Sequence, residues 1–182
     1  MNHTIRRRRS RHEQALGRSR GGWSTKIHLA VDGKLRPLAL HLTGGQAADS
    51  PQFARTLQGI HVPRCGPGRP RSRPDQVIAD KGYSSRDNRA YLRRRGVPMV
   101  IPERDDQLAN RRRRGHKGGR PCAFDPDRYR DRNVVERAFN RVKHWRGIAT
   151  RYDKTALNYL GGLHLAAILM WADDLAHPTD RT

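Results

Sequence analysis

The stretch Gln76-Val77-Ile78-Ala79-Asp80-Lys81-Gly82-Tyr83 decides the fold class. A short apolar run ends in a carboxylate, a glycine turn follows, and Ser84-Ser85-Arg86-Asp87 carries the pattern of a capping box that opens a helix. A strand that hands over directly to a helix is the repeating unit of α/β chains. A carboxylate at that handover lies where open α/β sheets build their sites.

Upstream, Ile27, Leu29 and Val31 alternate with Lys26, His28 and Ala30, Asp32-Gly33 marks a turn, and Leu38, Leu40 and Leu42 alternate with Ala39 and His41. This predicts a β-hairpin. Asp32 has a backbone role in such a turn, and His28 and His41 read as packing or surface residues, since no His-Glu pair accompanies them. Gly44-Gly45 ends the hairpin, and a helix follows from Asp49 or Ser50 through Pro51, Phe53, Leu57 and Ile60. The segment from Arg64 to Pro74 reads as a solvated loop, although its Gly-Arg-Pro core resembles a minor-groove hook. Downstream of Asp80 a helix is predicted from Ser85 to Arg95, stopped by Gly96, with Tyr91 and Leu92 on its buried side. Val97 to Ile101, between Pro98 and Pro102, suits a strand at a sheet edge. The predicted order is β-β-α-β-α-β.

A second carboxylate stands out in Arg132-Asn133-Val134-Val135-Glu136-Arg137-Ala138-Phe139-Asn140-Arg141-Val142-Lys143. At helical spacing Arg132, Glu136, Asn140 and Lys143 share one sector, while Val134, Val135, Ala138, Val142 and Trp145 lie on the other side. Asp131 is the expected N-cap and Gly147 the expected stop. Glu136 is therefore presented outward, either as a solvated ion pair or as a metal ligand beside cations that hold phosphates. Asp80 and Glu136 could share a metal. A final helix is expected from Leu157 to Leu175, apolar on most sides and buried against the sheet or a second subunit.

The 182 residues carry 38 Lys+Arg against 17 Asp+Glu, a formal net charge of +21. Arginine forks pair with phosphate and release counterions, so a polyanionic partner is expected, unless the arginines are merely solvated. Cys65 and Cys122 lack a Cys-x2-Cys partner and read as reduced thiols, with no zinc site or disulfide framework. The apolar segment from Tyr159 to Trp171 is interrupted by Gly161, Gly162 and His164 and is too short to span a bilayer, and Met1 to Arg9 lacks the apolar stretch of a secretory signal. Residues 1–22 read as a basic flexible arm, 23–175 as the folded domain and 176–182 as a tail. Within the domain, 103–125 reads as a flexible basic insertion facing DNA or as plain disorder, with Arg111, Arg112, Arg113 and Arg114 as candidate DNA contacts.

Tyr129, Arg132, Glu136 and Lys143 reproduce the Y-x2-R-x3-E-x6-K spacing of bacterial insertion-sequence transposases of the DDE type. Asp80-Lys81-Gly82-Tyr83 is similar to their second-Asp motif. Gly17-Arg18-Ser19-Arg20-Gly21-Gly22-Trp23-Ser24-Thr25-Lys26-Ile27-His28 and Leu42-Thr43-Gly44-Gly45-Gln46-Ala47-Ala48-Asp49 resemble blocks of the insertion sequence five group. The matches come in family order over roughly residues 13 to 175.

The resemblance implies a ribonuclease H-like α/β fold, a mixed sheet flanked by helices, and DNA cleavage and joining with two Mg²⁺ ions held by three carboxylates. On that basis Asp80 is the second carboxylate and Glu136 the third, both catalytic and both metal ligands. Arg132 and Lys143 would contact the transposon-end backbone, and Tyr129 would orient there or pack in the core. The family's first Asp precedes the Gly-Arg-Ser-Arg-Gly-Gly block, yet residues 1–24 contain no Asp. The chain therefore resembles the C-terminal portion of a transposase whose first strand is missing, so that an independent activity of this chain is not implied. Its implied partner is double-stranded DNA at insertion-sequence ends, bound as a homo-oligomer and possibly with the product of an upstream frame. The implied setting is the bacterial cytoplasm, in association with the nucleoid. The alternative is a non-enzymatic basic DNA-binding remnant, or an inhibitor of full-length transposase.

Overall fold

A computed structural model describes residues 14–177. Its strands are β1 (Gly17–Ser19), β2 (Gly22–Val31), β3 (Pro37–Gly44), β4 (Val77–Ile78) and β5 (Met99–Val100). The helices are α1 (Phe53–Gln58), α2 (Arg86–Arg94), α3 (Asp105–Arg114), α4 (Pro126–Tyr129), α5 (Asn133–Lys143), α6 (Arg146–Thr150) and α7 (Ala156–Ala176). The class is α/β, and the expected β-β-α-β-α-β order recurs from β2 to β5. The described strands form two small sheets where one mixed sheet was expected: β1-β2-β3, and the parallel pair β4-β5 with Val77 opposite Met99. β4 and β5 are only two residues long, and Pro98 and Pro102, which cannot donate to a ladder, flank β5.

The described residues divide into two compact units, one lying within Met1–His28, Leu40–Ala47 and Asn140–Thr182, the other within Leu29–Ala39 and Ala48–Phe139. The second unit holds a core of Phe53, Leu57, Ile60, Val77, Leu92, Val97 and Ile101, with Ala30, Leu38 and Ala39 packed on it. Its local structure follows the sequence closely. The side chain of Ser85 accepts from the amide of Asn88 and caps α2, and Gly96, at φ +61°, takes the left-handed conformation just past the helix end. The buried amide of Asn88 donates to Ser50 O, Ser50 Oγ and Tyr83 O, which ties α2 to the 3₁₀ turn Ser50–Gln52 before α1. Asp32 accepts from the amides of Lys34 and Arg36, so the turn carboxylate serves the backbone as expected.

In the first unit, Tyr159, Leu163, Ala166 and Met170 bury one face of α7 against Val142, Ile148, Ile27, Leu40 and Leu42. Leu157, Leu165, Ile168, Leu169 and Leu175 of the same helix are exposed, so only part of its apolar surface is covered. His28 is buried, stacks on His41 at 4.7 Å and bonds Thr43 Oγ1 at 2.8 Å, which is packing chemistry. The glycines of the two N-terminal blocks meet here. The amide of Gly45 donates to Ser24 O, and a Cβ on Gly44 would stand 3.2 Å from the Gly17 backbone, so these blocks are glycine-rich because two backbones approach closely.

Several local expectations need correction. Residues 17–19 form β1, antiparallel to the start of β2, so ordered structure begins inside the segment assigned to the arm; 1–13 and 178–182 lie outside the described residues. Residues 103–125 are largely structured: α3 spans Asp105–Arg114, and Gln107, its third residue, accepts from the amide of Arg104 and closes a cap. Asp131 is not an N-cap, because the helical run starts at Pro126, where Asp125 accepts from the amides of Asp127 and Arg128. Gly147 is not a stop but lies within α6; α5 ends at Lys143, and Trp145, with extended backbone at φ −78° and ψ 109°, separates the two helices.

Candidate active site

Asp80 lies two residues past the end of β4, after Ala79, with extended backbone at φ −65° and ψ 156°. Its Oδ1 accepts from the amide of Gly82 at 2.8 Å and caps the 3₁₀ turn Lys81–Tyr83, which leads to Ser85 and α2. Oδ2 remains for other partners. Glu136 is in the first turn of α5, one helical turn after Arg132. Ala138 is buried and Val134 and Val135 partly so, while Glu136 is exposed, as the helical periodicity predicts.

Arg132 joins the two acids. Its Nη2 lies 2.8 Å from Glu136 Oε1 and 3.4 Å from Asp80 Oδ2. Two contacts to one nitrogen cap the separation of those oxygens at the sum of the distances, about 6.2 Å. Carboxylates more than fifty positions apart in the sequence thus face one point in space. The side chains of Asp80, Glu136 and Arg132 are 46%, 55% and 34% exposed, so the cluster is open to ligands and solvent. Tyr83 packs on Phe53 at 5.4 Å, and its hydroxyl pKa is raised, first by burial and then by the negative charges of Asp49 and Asp80.

The other predicted site residues are placed differently. Tyr129 ends α4, half-buried, and packs on Phe124 at 5.3 Å. Lys143 is exposed in the last turn of α5, on the helix that carries Glu136. Arg111 turns inward to Glu103 through both terminal nitrogens, so the structure does not present it as an exposed DNA contact. Arg113 donates to Asn110 Oδ1 at 2.9 Å, and Arg112 and Arg114 are exposed. Among the described residues no group of three or more His, Cys, Asp or Glu side chains is placed to hold a metal ion.

Sequence reasoning missed Glu103 and Arg89. Glu103 is 10% and Arg111 20% exposed at the side chain, and the hydrogen bond from Arg111 holds the Glu103 carboxyl below its ordinary pKa against the opposing effect of burial. Arg89, buried in α2, donates to Ser84 Oγ at 3.0 Å and to the Ile101 carbonyl at 2.8 Å. The one local signal was the position of Arg89 on the helix face next to Leu92 and Asn88, where a solvated arginine does not belong.

Residues 3–171 match the family described as Transposase DDE domain. The chain belongs to that family. It is 30% identical over 152 residues to a protein from Brucella ovis described as a transposase for insertion sequence element IS6501, covering 81% of this chain and 98% of that relative. It is 34% identical over 132 residues to one from Burkholderia cepacia described as a transposase for insertion sequence element IS402, covering 72% of this chain. This transposase-family chain spans only 55% of the Burkholderia relative's length in that match. No solved structure matches it. No described helix is long and apolar enough to cross a membrane.

Proposed function

We propose that the chain is the ribonuclease H-like catalytic portion of an insertion-sequence transposase, and that Asp80 and Glu136 are two of the carboxylates that hold divalent metal for DNA cleavage and strand transfer. The observation that supports this most is the shared contact of both acids with Arg132. Two half-exposed carboxylates are hard oxygen donors of the kind Mg²⁺ takes, and that ion completes its shell with water, so the pair fits one part of such a site. A full two-ion site needs the third carboxylate that the family resemblance implies. Bound metal would supply Lewis acidity and polarised oxygens for phosphodiester displacement.

The remaining roles belong to the chain's own residues. Arg132 neutralises both acids and, when a phosphate arrives, offers it a planar two-pronged donor. Lys143, Arg112 and Arg114 add cationic contacts to the backbone of insertion-sequence ends, and Tyr129 with Phe124 fixes the approach to α5. The reading includes self-association on DNA, for which the exposed apolar residues of α7 offer a surface.

A second reading draws on the same geometry. Arg132 already supplies positive charge to both acids, which suits a DNA-binding protein that pairs with full-length transposase and blocks it without cutting. Nicking of insertion-sequence-end DNA, measured with and without Mg²⁺ and compared with Asp80→Ala, separates the two. Metal-dependent nicking lost in the variant supports catalysis; binding with no nicking, even after fusion to an Asp-bearing first strand, removes the assigned roles.

A further inference from the structure

The second unit contains a cavity of about 410 Å³ between α2, the segment before α3, α3 and the turn after it. Five guanidinium groups line it, from Arg86, Arg89, Arg93, Arg111 and Arg114, against one carboxylate, Glu103. Glu103 is engaged by Arg111. Arg89 is 7% exposed, and its hydrogen bonds go to the Ser84 hydroxyl, to Met99 Sδ and to backbone carbonyls; Glu103 attracts it only through space, without a direct ion pair, so one carboxylate serves both Arg111 and Arg89. Arg86, Arg93 and Arg114 reach the rim exposed, and none of them has an acid partner among the described residues.

Four like charges converging on one concavity repel one another, and low-dielectric walls strengthen that repulsion. An anion in the cavity relieves it. The volume lies within the range of small-ligand sites, and the donors are forks suited to tetrahedral oxyanions. No aromatic side chain lines the cavity, so base stacking is not what it offers. We propose that this cavity binds a phosphate monoester, carried either by a phosphorylated DNA strand end or by a free phosphate compound. The site goes beyond the carboxylate pair and does not depend on Asp80 or Glu136 being metal ligands.

The test compares two short single-stranded oligonucleotides of one sequence, 5′-phosphorylated and 5′-hydroxyl, by fluorescence anisotropy, together with the effect of inorganic phosphate on the melting temperature. If a strand end is the ligand, the phosphorylated oligonucleotide binds about tenfold more tightly. Inorganic phosphate competes that preference away, and the double variant Arg86→Ala/Arg93→Ala erases it. Arg94→Ala, which removes an exposed charge from the same helix outside the lining, retains it. If phosphate raises the melting temperature through Arg86 and Arg93 while both oligonucleotides bind alike, the site takes free phosphate compounds and the strand end is rejected. No phosphate effect on either readout, or equal losses in Arg94→Ala and in the double variant, overturns the proposal.

Discussion

Arg132 and Arg111 both pair with carboxylates in the segment Ala48–Phe139, but the two groupings differ in what surrounds them. Arg132 shares one nitrogen between Asp80 and Glu136, with all three side chains a third or more exposed. Arg111 grips Glu103 alone through both terminal nitrogens, with the side chains at most 20% exposed. Water screens and competes for the first, so its partners can be exchanged at little cost. The second is shielded and holds α3 to the segment before it, so losing one partner strands the other. The same residue types therefore make an exchangeable site in one place and a structural clasp in the other.

Asp80→Ala should show the largest effect: metal-dependent nicking of end DNA falls about 100-fold or more, while stability falls by no more than the lost turn cap contributes, about 1 kcal/mol. A parallel collapse of stability would make Asp80 a structural residue instead. Glu103→Gln should do the opposite, lowering the melting temperature by about 2–4 °C with nicking retained.

The pH dependence sharpens the distinction. The carboxyl of Glu103 titrates below its ordinary value of 4.5 when folded, so its contribution is complete above that pH and is lost as the pH falls through the folded value. Urea midpoints measured on the acid side should therefore fall less steeply with pH in Glu103→Gln than in the parent. An identical acid limb in the two proteins would remove the clasp from the account. A small change in stability is expected for Arg132→Ala, within about 1 kcal/mol. There, Mn²⁺ binding followed by electron paramagnetic resonance should tighten because both acids lose their competing cation. Weaker Mn²⁺ binding would show that Arg132 organises the pair and does not compete for it.

Much of this was legible because it is local. Ser85 caps α2 and Gly96 follows its end because hydroxyl capping and left-handed backbone need only near neighbours. Phe53, Leu57 and Ile60 were read as the apolar residues of one helix and lie together in one core, although α1 ends at Gln58 and Ile60 packs from beyond it. Asp125 was missed as the start of the helical run because Asp131 offers the same chemistry closer to the periodic segment, and local rules do not rank two caps. The segment 103–125 was misread because its charge suggested solvation. Arg111 is satisfied by Glu103, eight residues before it, a pairing that appears only once α3 has formed.

The sequence by itself determined that Asp80 stands just past a strand and beside a helix start, and that Arg132 and Glu136 share a helix face, because strand and helix periods are set by nearest-neighbour geometry. Only the tertiary structure decided that Asp80 reaches the same guanidinium as Glu136, and that Arg111 faces inward while Arg112 faces out. Those outcomes depend on which elements pack together, and packing is chosen by buried surface summed over residues far apart in the chain.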